Sequence, residues 1–222
     1  MDSDVAIIIA IDGTFSSGKG TLGKKLSSHY GLPYLDTGKL YRAVAKAILD
    51  AGGDVENARD SAQAAKTLDL SGLYDPILKS GPIGAAASKV SVHPEVRAAL
   101  LDVQRSFAAN PNTGGGILDG RDIGTVICPD ATVKLYVTAR ADIRAQRRHK
   151  ELTGYGEDIF YETVLAQLHE RDNRDMNRAA APLKPADDAH LLDTSELGIE
   201  AAFAAAVRIC DAVMAAKAPQ NP

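Results

Sequence analysis

The chain has 222 residues, 45% of them apolar and 24% charged, so its composition is that of an ordinary globular protein and its length suits one domain with insertions. That balance excludes a disordered tail, a coiled coil and a collagen-like repeat. With 25 basic against 29 acidic residues the net charge is −4, which disfavours binding to a nucleic-acid duplex.

Val5 to Ile11 is an apolar, β-branched run that stops at Asp12-Gly13, the pattern of a strand buried on both faces. It is too short for a signal core or a membrane span, and the residues before it are acidic. From Lys19 to His29 the spacing turns helical, with Leu22 and Leu26 on one side and Gly31 placed to end the helix. Leu32 to Leu35 is a short second strand. Leu40 to Ala51 is a helix with Leu40, Val44, Ala47 and Ile48 on one face. From about residue 54 to 93, Asp, Ser, Gly and Pro break the apolar pattern, which predicts an inserted subdomain of short helices. Pro94 to Phe107 is helical again. Ile117-Leu118 ending in Asp119 is a third buried strand and Val133 to Val137 a fourth. Two polar, arginine-bearing helices follow, Asp142 to Leu152 and Glu162 to Asn177. Leu191 to Asp193 is a fifth strand, and Ile199 to Met214 closes the chain as an amphipathic helix. Strands alternating with helices predict an α/β fold with a parallel sheet and right-handed crossovers. Cys128 and Cys210 form neither a disulfide framework nor a metal-ligand set, which points to a reducing compartment.

Gly13-Thr14-Phe15-Ser16-Ser17-Gly18-Lys19 has the spacing G-x-x-x-x-G-K between a strand and a helix. Such a loop wraps its backbone tightly, so that successive N–H groups and the helix N-terminus face an anion, and Lys19 reaches the β- and γ-phosphates as a mobile charge. Gly20 follows the lysine, and the hydroxyl arrives one place later, at Thr21. Gly20 offers no side-chain ligand, so Mg²⁺ would be held through nucleotide phosphates and waters. Thr21 is either a donor to a phosphate oxygen or an ordinary first-turn residue.

Gly18-Lys19-Gly20-Thr21 resembles the phosphate loop of nucleoside monophosphate kinases. Leu35-Asp36-Thr37-Gly38-Lys39-Leu40-Tyr41-Arg42, then Asp119 to Val126 (DGRDIGTV), then Glu170 to Arg178 (ERDNRDMNR) with Pro182-Leu183, are similar in order and kind to the signatures of bacterial-type cytidylate kinases. The resemblance implies a P-loop nucleoside monophosphate kinase fold: a five-stranded parallel sheet flanked by helices. It also implies a core of residues 1–55, 108–146 and 179–222, a nucleotide-binding insert at about 56–107 and a lid at about 147–178. The implied reaction is transfer of the γ-phosphate of ATP, with Mg²⁺, to CMP or dCMP.

Within that resemblance, residues Gly13 to Thr21 hold the donor, and Arg147 and Arg148 close over it. Arg42 and Arg121 hold the acceptor α-phosphate, with Thr37 beside them. Ser88, Arg97, Asp122 and Arg178 read the cytosine, and Arg171 and Asp175 lie nearer the ribose. Lys19, Arg121, Arg171 and Arg174 neutralise charge during transfer. Arginine suits such sites because its fork binds phosphate in two places. The spacing of Arg171, Arg174 and Arg178 also places them on one helix face, where Glu170, Asp172 and Asp175 could simply pair with them. Asp36 is open to two readings, a turn or capping residue and a water-mediated Mg²⁺ contact shared with Asp119. Thr14-Phe15 replaces the smaller, Pro-containing pair usual in the family, and Leu70 to Gly84 is a short Gly/Pro-rich stretch, with Lys79 where longer members often place Arg. The expected protein is a cytoplasmic monomer that contacts small nucleotides and neither nucleic acid nor membrane. The competing readings are a kinase for AMP, UMP or a metabolite hydroxyl, a GTP-hydrolysing switch, and a nucleic-acid-stimulated ATPase. The switch lacks an N-K-x-D motif, and the ATPase lacks tryptophan and any basic–aromatic tract.

Overall fold

The computed structural model describes residues 6–217, so Val5 and the acidic residues before it lie outside the described part. Five strands, β1 (Ile7–Gly13), β2 (Tyr34–Asp36), β3 (Gly115–Asp119), β4 (Val133–Thr138) and β5 (His190–Asp193), form one parallel sheet in the order β2-β3-β1-β4-β5. Asp36 pairs with Asp119, Ile11 with Asp119 and Gly13 with Val137, so the carboxyl ends of β1 to β4 finish along one edge. That edge is where open parallel sheets present ligands.

The alternation of β1 sorts the core. Ile9 and Ile11 pack with Leu22 and Leu26 of α1 (Lys19–Tyr30) and with Ala206 and Cys210 of α8 (Ile199–Lys217). Ala10 faces the opposite side, against Leu118, Ile123 and Ala108 of α5 (Pro94–Ala108). A second cluster joins α2 (Thr37–Asp50), α3 (Ala58–Lys66), α4 (Gly81–Val90) and α5 through Leu40, Val44, Ala65, Val90, Val96 and Leu100. The remaining helices, α6 (Ala141–Gly154) and α7 (Tyr161–Asn177), pack on each other.

Two boundaries differ from expectation because of partners distant in sequence. β1 runs on through Asp12 and Gly13, because the Asp12 carboxylate is satisfied by Ile123 N and Gly124 N, each at 2.7 Å. α2 begins at Thr37, whose hydroxyl donates to Asp119 O at 2.8 Å. α7 ends at Asn177 as the sequence predicts, but Arg178 therefore adopts extended backbone (φ −63°, ψ 142°) and, contrary to its spacing, does not share a helix face with Arg171 and Arg174. A single π-helical turn at Ile123–Ile127 was not expected at all; Asp12 caps it from a distant strand. Gly13 and Gly115 are obligatory: a Cβ on Gly13 (φ 145°) would lie 1.8 Å from Val137 O, and one on Gly115 (φ 129°) 2.0 Å from Ile7 O.

Candidate active site

A cleft of about 600 Å³ opens along the carboxyl edge of the sheet, with the phosphate loop as its floor. The loop carries positive φ at Ser16 (61°) and Gly18 (95°), and Gly18 leads directly into α1. Thr14 is buried, with its hydroxyl 3.4 Å from that of Thr138. Ser17 is also buried; its carbonyl accepts from Thr194 Oγ1, while its own hydroxyl has no partner among the described residues. Lys19 is folded back into the loop, donating from Nζ to Thr14 O at 2.7 Å. Burial, and then the nearby Arg121, pushes its ammonium down to about 7. Such a lysine sits where an anion would restore its charge. Gly20 and Thr21 line the cleft at the first turn of α1.

Beside the loop, Asp36 and Asp119 end neighbouring strands. Asp36 stands at the N-cap of α2 but makes no side-chain capping bond, which leaves the capping reading without support. Tyr34 Oη donates to Asp119 Oδ2 at 2.7 Å, and burial, then Asp36, raises the Asp119 carboxyl above its usual range. A Cβ on Gly20 would lie 3.7 Å from Asp119 Oδ2, so the loop passes directly over this carboxylate. Two adjacent hard-oxygen donors under a phosphate loop fit a hydrated Mg²⁺ bound mainly through phosphates. No group of three or more His, Cys, Asp or Glu among the described residues forms a cage of its own.

The acceptor side is a ring of arginines and two carboxylates. Arg121 donates Nε to Asp175 at 2.9 Å and Nη1 to Gly120 O at 3.1 Å. Asp175 is held below its usual range: burial opposes ionisation, but Arg121, Arg171 and Arg178 outweigh it. Arg171 is pushed down to about 9 by burial and by its like-charged neighbours Arg121, Arg42 and Arg148, against the pull of Asp175. Burial also lowers Arg42, whose Nη1 donates to Leu78 O. Three guanidinium groups on the cleft wall, Arg42, Arg121 and Arg171, repel one another in one buried place and are arranged for an anion. Further along, Asp122 lies between Arg97, to which it is directly bonded, and Arg178 at 3.5 Å. Arg97 also stacks over Tyr41, 5.7 Å from the ring centroid.

Not every expected residue faces the cleft. Ser88 and Arg174 are bonded to each other at 2.8 Å, and Arg174 also pairs with Glu170; neither lines the cavity. Arg148 is also absent from the wall, donating to Glu151 at 2.7 Å. Arg147 does line it, clamped to Thr194 Oγ1 at 3.0 Å and Thr194 O at 2.7 Å. The sequence reading missed the wall that continues from Arg147 through Thr194, Leu197, Gly198, Ile199 and Ala202. The available signal was Asp193, a third aspartate ending a strand of the same sheet.

The fold, with a phosphate loop between β1 and α1 opposite a basic acceptor site, places the protein among the P-loop nucleotide kinases. The cytidylate kinase family model matches residues 9–212. Cytidylate kinases of Xanthobacter autotrophicus and Rhodopseudomonas palustris are 57% and 56% identical, over 93% and 95% of this chain and 98% and 99% of their own lengths. The chain belongs to the cytidylate kinase family. An uncharacterized protein from Eubacterium ventriosum superposes with a TM-score of 0.54 at 17% identity, covering 93% of this chain and 99% of that one, a likeness of fold alone.

Proposed function

We infer that the protein transfers the γ-phosphate of ATP to CMP or dCMP, giving ADP and CDP or dCDP. The observation that carries this reading is the position of Arg121, which lines the cleft between the phosphate loop and the Arg97–Asp122–Arg178 group. A kinase for a nucleotide acceptor needs a cation at that midpoint.

The loop from Gly13 to Thr21 binds the donor triphosphate through its amides and Lys19, with Ser17 Oγ a further donor free for phosphate. The base end of the donor rests against Arg147 and the Leu197–Ile199 wall. Mg²⁺, held by the nucleotide with Asp36 and Asp119 behind its waters, would neutralise charge on the migrating group. Arg42, Arg121 and Thr37 hold the acceptor phosphate, Asp175 lies near the ribose, and Arg171, between Asp175 and the phosphate loop, neutralises charge during transfer. Asp122 accepts from the cytosine amino group while Arg97 and Arg178 donate to its ring acceptors; uracil presents a carbonyl to the same carboxylate and is repelled. Ser88 and Arg174 support this wall through their mutual bond. No general base is needed, because the acceptor phosphate is already an anionic nucleophile, and no covalent intermediate forms. Positioning and charge stabilisation carry the catalysis.

In this reading residues 56–107 form the acceptor-binding insert, 147–178 the lid and the rest the core. The two cysteines, free and buried, suit the reducing cytoplasm. No helix among the described residues is long and apolar enough to cross a membrane.

An acceptor screen with ATP, reading ADP release, tests the assignment. CMP and dCMP are expected to turn over well and UMP poorly. Comparable kcat/KM for UMP and CMP, or a preference for AMP, would overturn the cytosine assignment; no turnover with any acceptor would overturn the kinase reading.

A further inference from the structure

The transfer chemistry uses the backbone of Phe15 as part of the phosphate loop but gives its side chain no role. Phe15 lies two residues after the first loop glycine, where a loop that exposes its amides to phosphate favours small side chains. Its side chain is half-buried and lines the cleft. The Arg171 guanidinium lies over the ring, 4.1 Å from its centroid, and that of Arg148 lies 5.5 Å from it. The backbone on the other side is fixed as well: Arg144 Nη1 donates to Phe15 O at 3.1 Å, and Arg144 pairs with Asp172 at 2.7 Å. Residues 171 and 172, neighbours on α7, are thus both tied to Phe15, one through the ring and one through Arg144.

Arg171 has little else to fix it. Nη1 donates to Gly84 O at 3.2 Å, Asp175 is 3.9 Å from Nε, and Nε is buried with no hydrogen-bond partner among the described residues. Arg121, Arg42 and Arg148 surround it with like charge. A guanidinium in that setting would swing toward solvent unless a neutral surface held its plane, and the face of an aromatic ring does this.

We propose that Phe15 is a positioning residue for phosphoryl transfer: its ring is a seat that holds the Arg171 guanidinium, with Arg148 beside it, over the phosphate loop before nucleotide arrives. The proposal rests on the kinase reading above for its kinetic consequence, but the seat itself is a property of the free protein. An arginine already in place needs no reorganisation when charge develops on the migrating group. The usual strength of a cation–π contact makes the seat worth about 2- to 30-fold in rate.

Two substitutions in the full-length chain separate the ring's electrostatics from its bulk. Phe15→Leu keeps an apolar side chain and removes the π face; Phe15→Tyr keeps the face. The expected result is a fall in kcat for CMP phosphorylation of about 2- to 30-fold in Phe15→Leu, with KM for CMP little changed and Phe15→Tyr recovering most of the rate. Equal losses in both variants, or none in Phe15→Leu, would overturn the proposal, as would a loss confined to KM. NMR of the nucleotide-free protein supplies a readout independent of activity. The Arg171 Nε–H resonance, assigned by its loss in Arg171→Lys, is expected to carry a ring-current shift in the wild type and Phe15→Tyr that disappears in Phe15→Leu. A shift that persists in Phe15→Leu refutes the seat. A shift that behaves as expected in a protein inactive toward every acceptor would retain the seat and refute the kinase reading.

Discussion

Replacing Arg121 by Lys keeps the charge at the midpoint of the cleft and removes the fork. In the structure two of the five N–H donors of Arg121 are already engaged, one by Asp175 at 2.9 Å and one by Gly120 O at 3.1 Å, which leaves three for a ligand in the cavity the residue lines. A lysine ammonium can satisfy Asp175 or reach a phosphate, but it cannot span both. If it stays on Asp175, the acceptor phosphate loses at least one charge-assisted hydrogen bond, worth about 1.5–3 kcal/mol, or about 10- to 150-fold in affinity. If it turns to the phosphate, the buried Asp175 loses its one close partner and keeps only the more distant charges of Arg171, at 3.9 Å, and Arg178, and the folded state is penalised instead. Either way the cost falls on CMP, because the donor phosphates are held by the loop and Lys19. Separate titrations of ATP and CMP, by calorimetry with the full-length variant, distinguish the cases. A drop in CMP affinity of at least about tenfold with ATP affinity almost unchanged is expected. Equal loss for both nucleotides would place Arg121 on the wrong side of the site. No loss for either would make it a surface ion-pair partner of the kind worth under about 1 kcal/mol.

Lys19→Ala should nearly abolish turnover with CMP, and a fall of less than about tenfold, under ~1.4 kcal/mol of barrier, would contradict its assigned role. The same lysine couples ATP binding to pH. Its pKa in the free protein is about 7 and polyphosphate raises it, so binding takes up a proton above pH 7. ATP affinity should therefore be level just below pH 7 and decline above it, and calorimetry at pH 8 in buffers of different ionisation heat should detect the uptake; its absence would refute the depressed pKa. Amide exchange across residues 148–161, tethered to the insert by Gly81 N donating to Glu157 at 2.9 Å, should slow when ATP and CMP are both bound. Exchange that does not change would argue against a lid.

β1 was legible because a central parallel strand buried on both faces favours an unbroken apolar, β-branched run, and the shorter strands were legible from apolar residues that stop at an aspartate or a turn. The phosphate loop was legible because spacing, strand and helix coincide. What escaped depends on partners distant in sequence. The π-helical turn at Ile123–Ile127 exists because Asp12, on another strand, caps it, and no local pattern records that bond. Arg178 fits a helical spacing with Arg171 and Arg174, yet Ala181 at φ 49° and the following Pro182 turn the chain away, and Pro182 could have warned of it. The wall from Thr194 to Ala202 was overlooked because its residues are small or apolar and carry no charge to attract notice.

The two obligatory glycines lie on opposite flanks of β1, Gly13 against β4 and Gly115 in β3 against Ile7. Together they act as a gauge block. Sliding β1 by one residue against either neighbour would bring a side chain where only hydrogen fits and would turn Ile9 and Ile11 out of their cluster. One such step is about 3.3 Å along the strand, as large as the separation between reacting atoms in a productive complex. The height of the phosphate loop above Asp119 and Arg121 is thus set by the sheet, far more firmly than loops alone could hold it. Variants selected for a new acceptor should accordingly accumulate changes along α2, α4 and α7 and leave β1 and both glycines untouched.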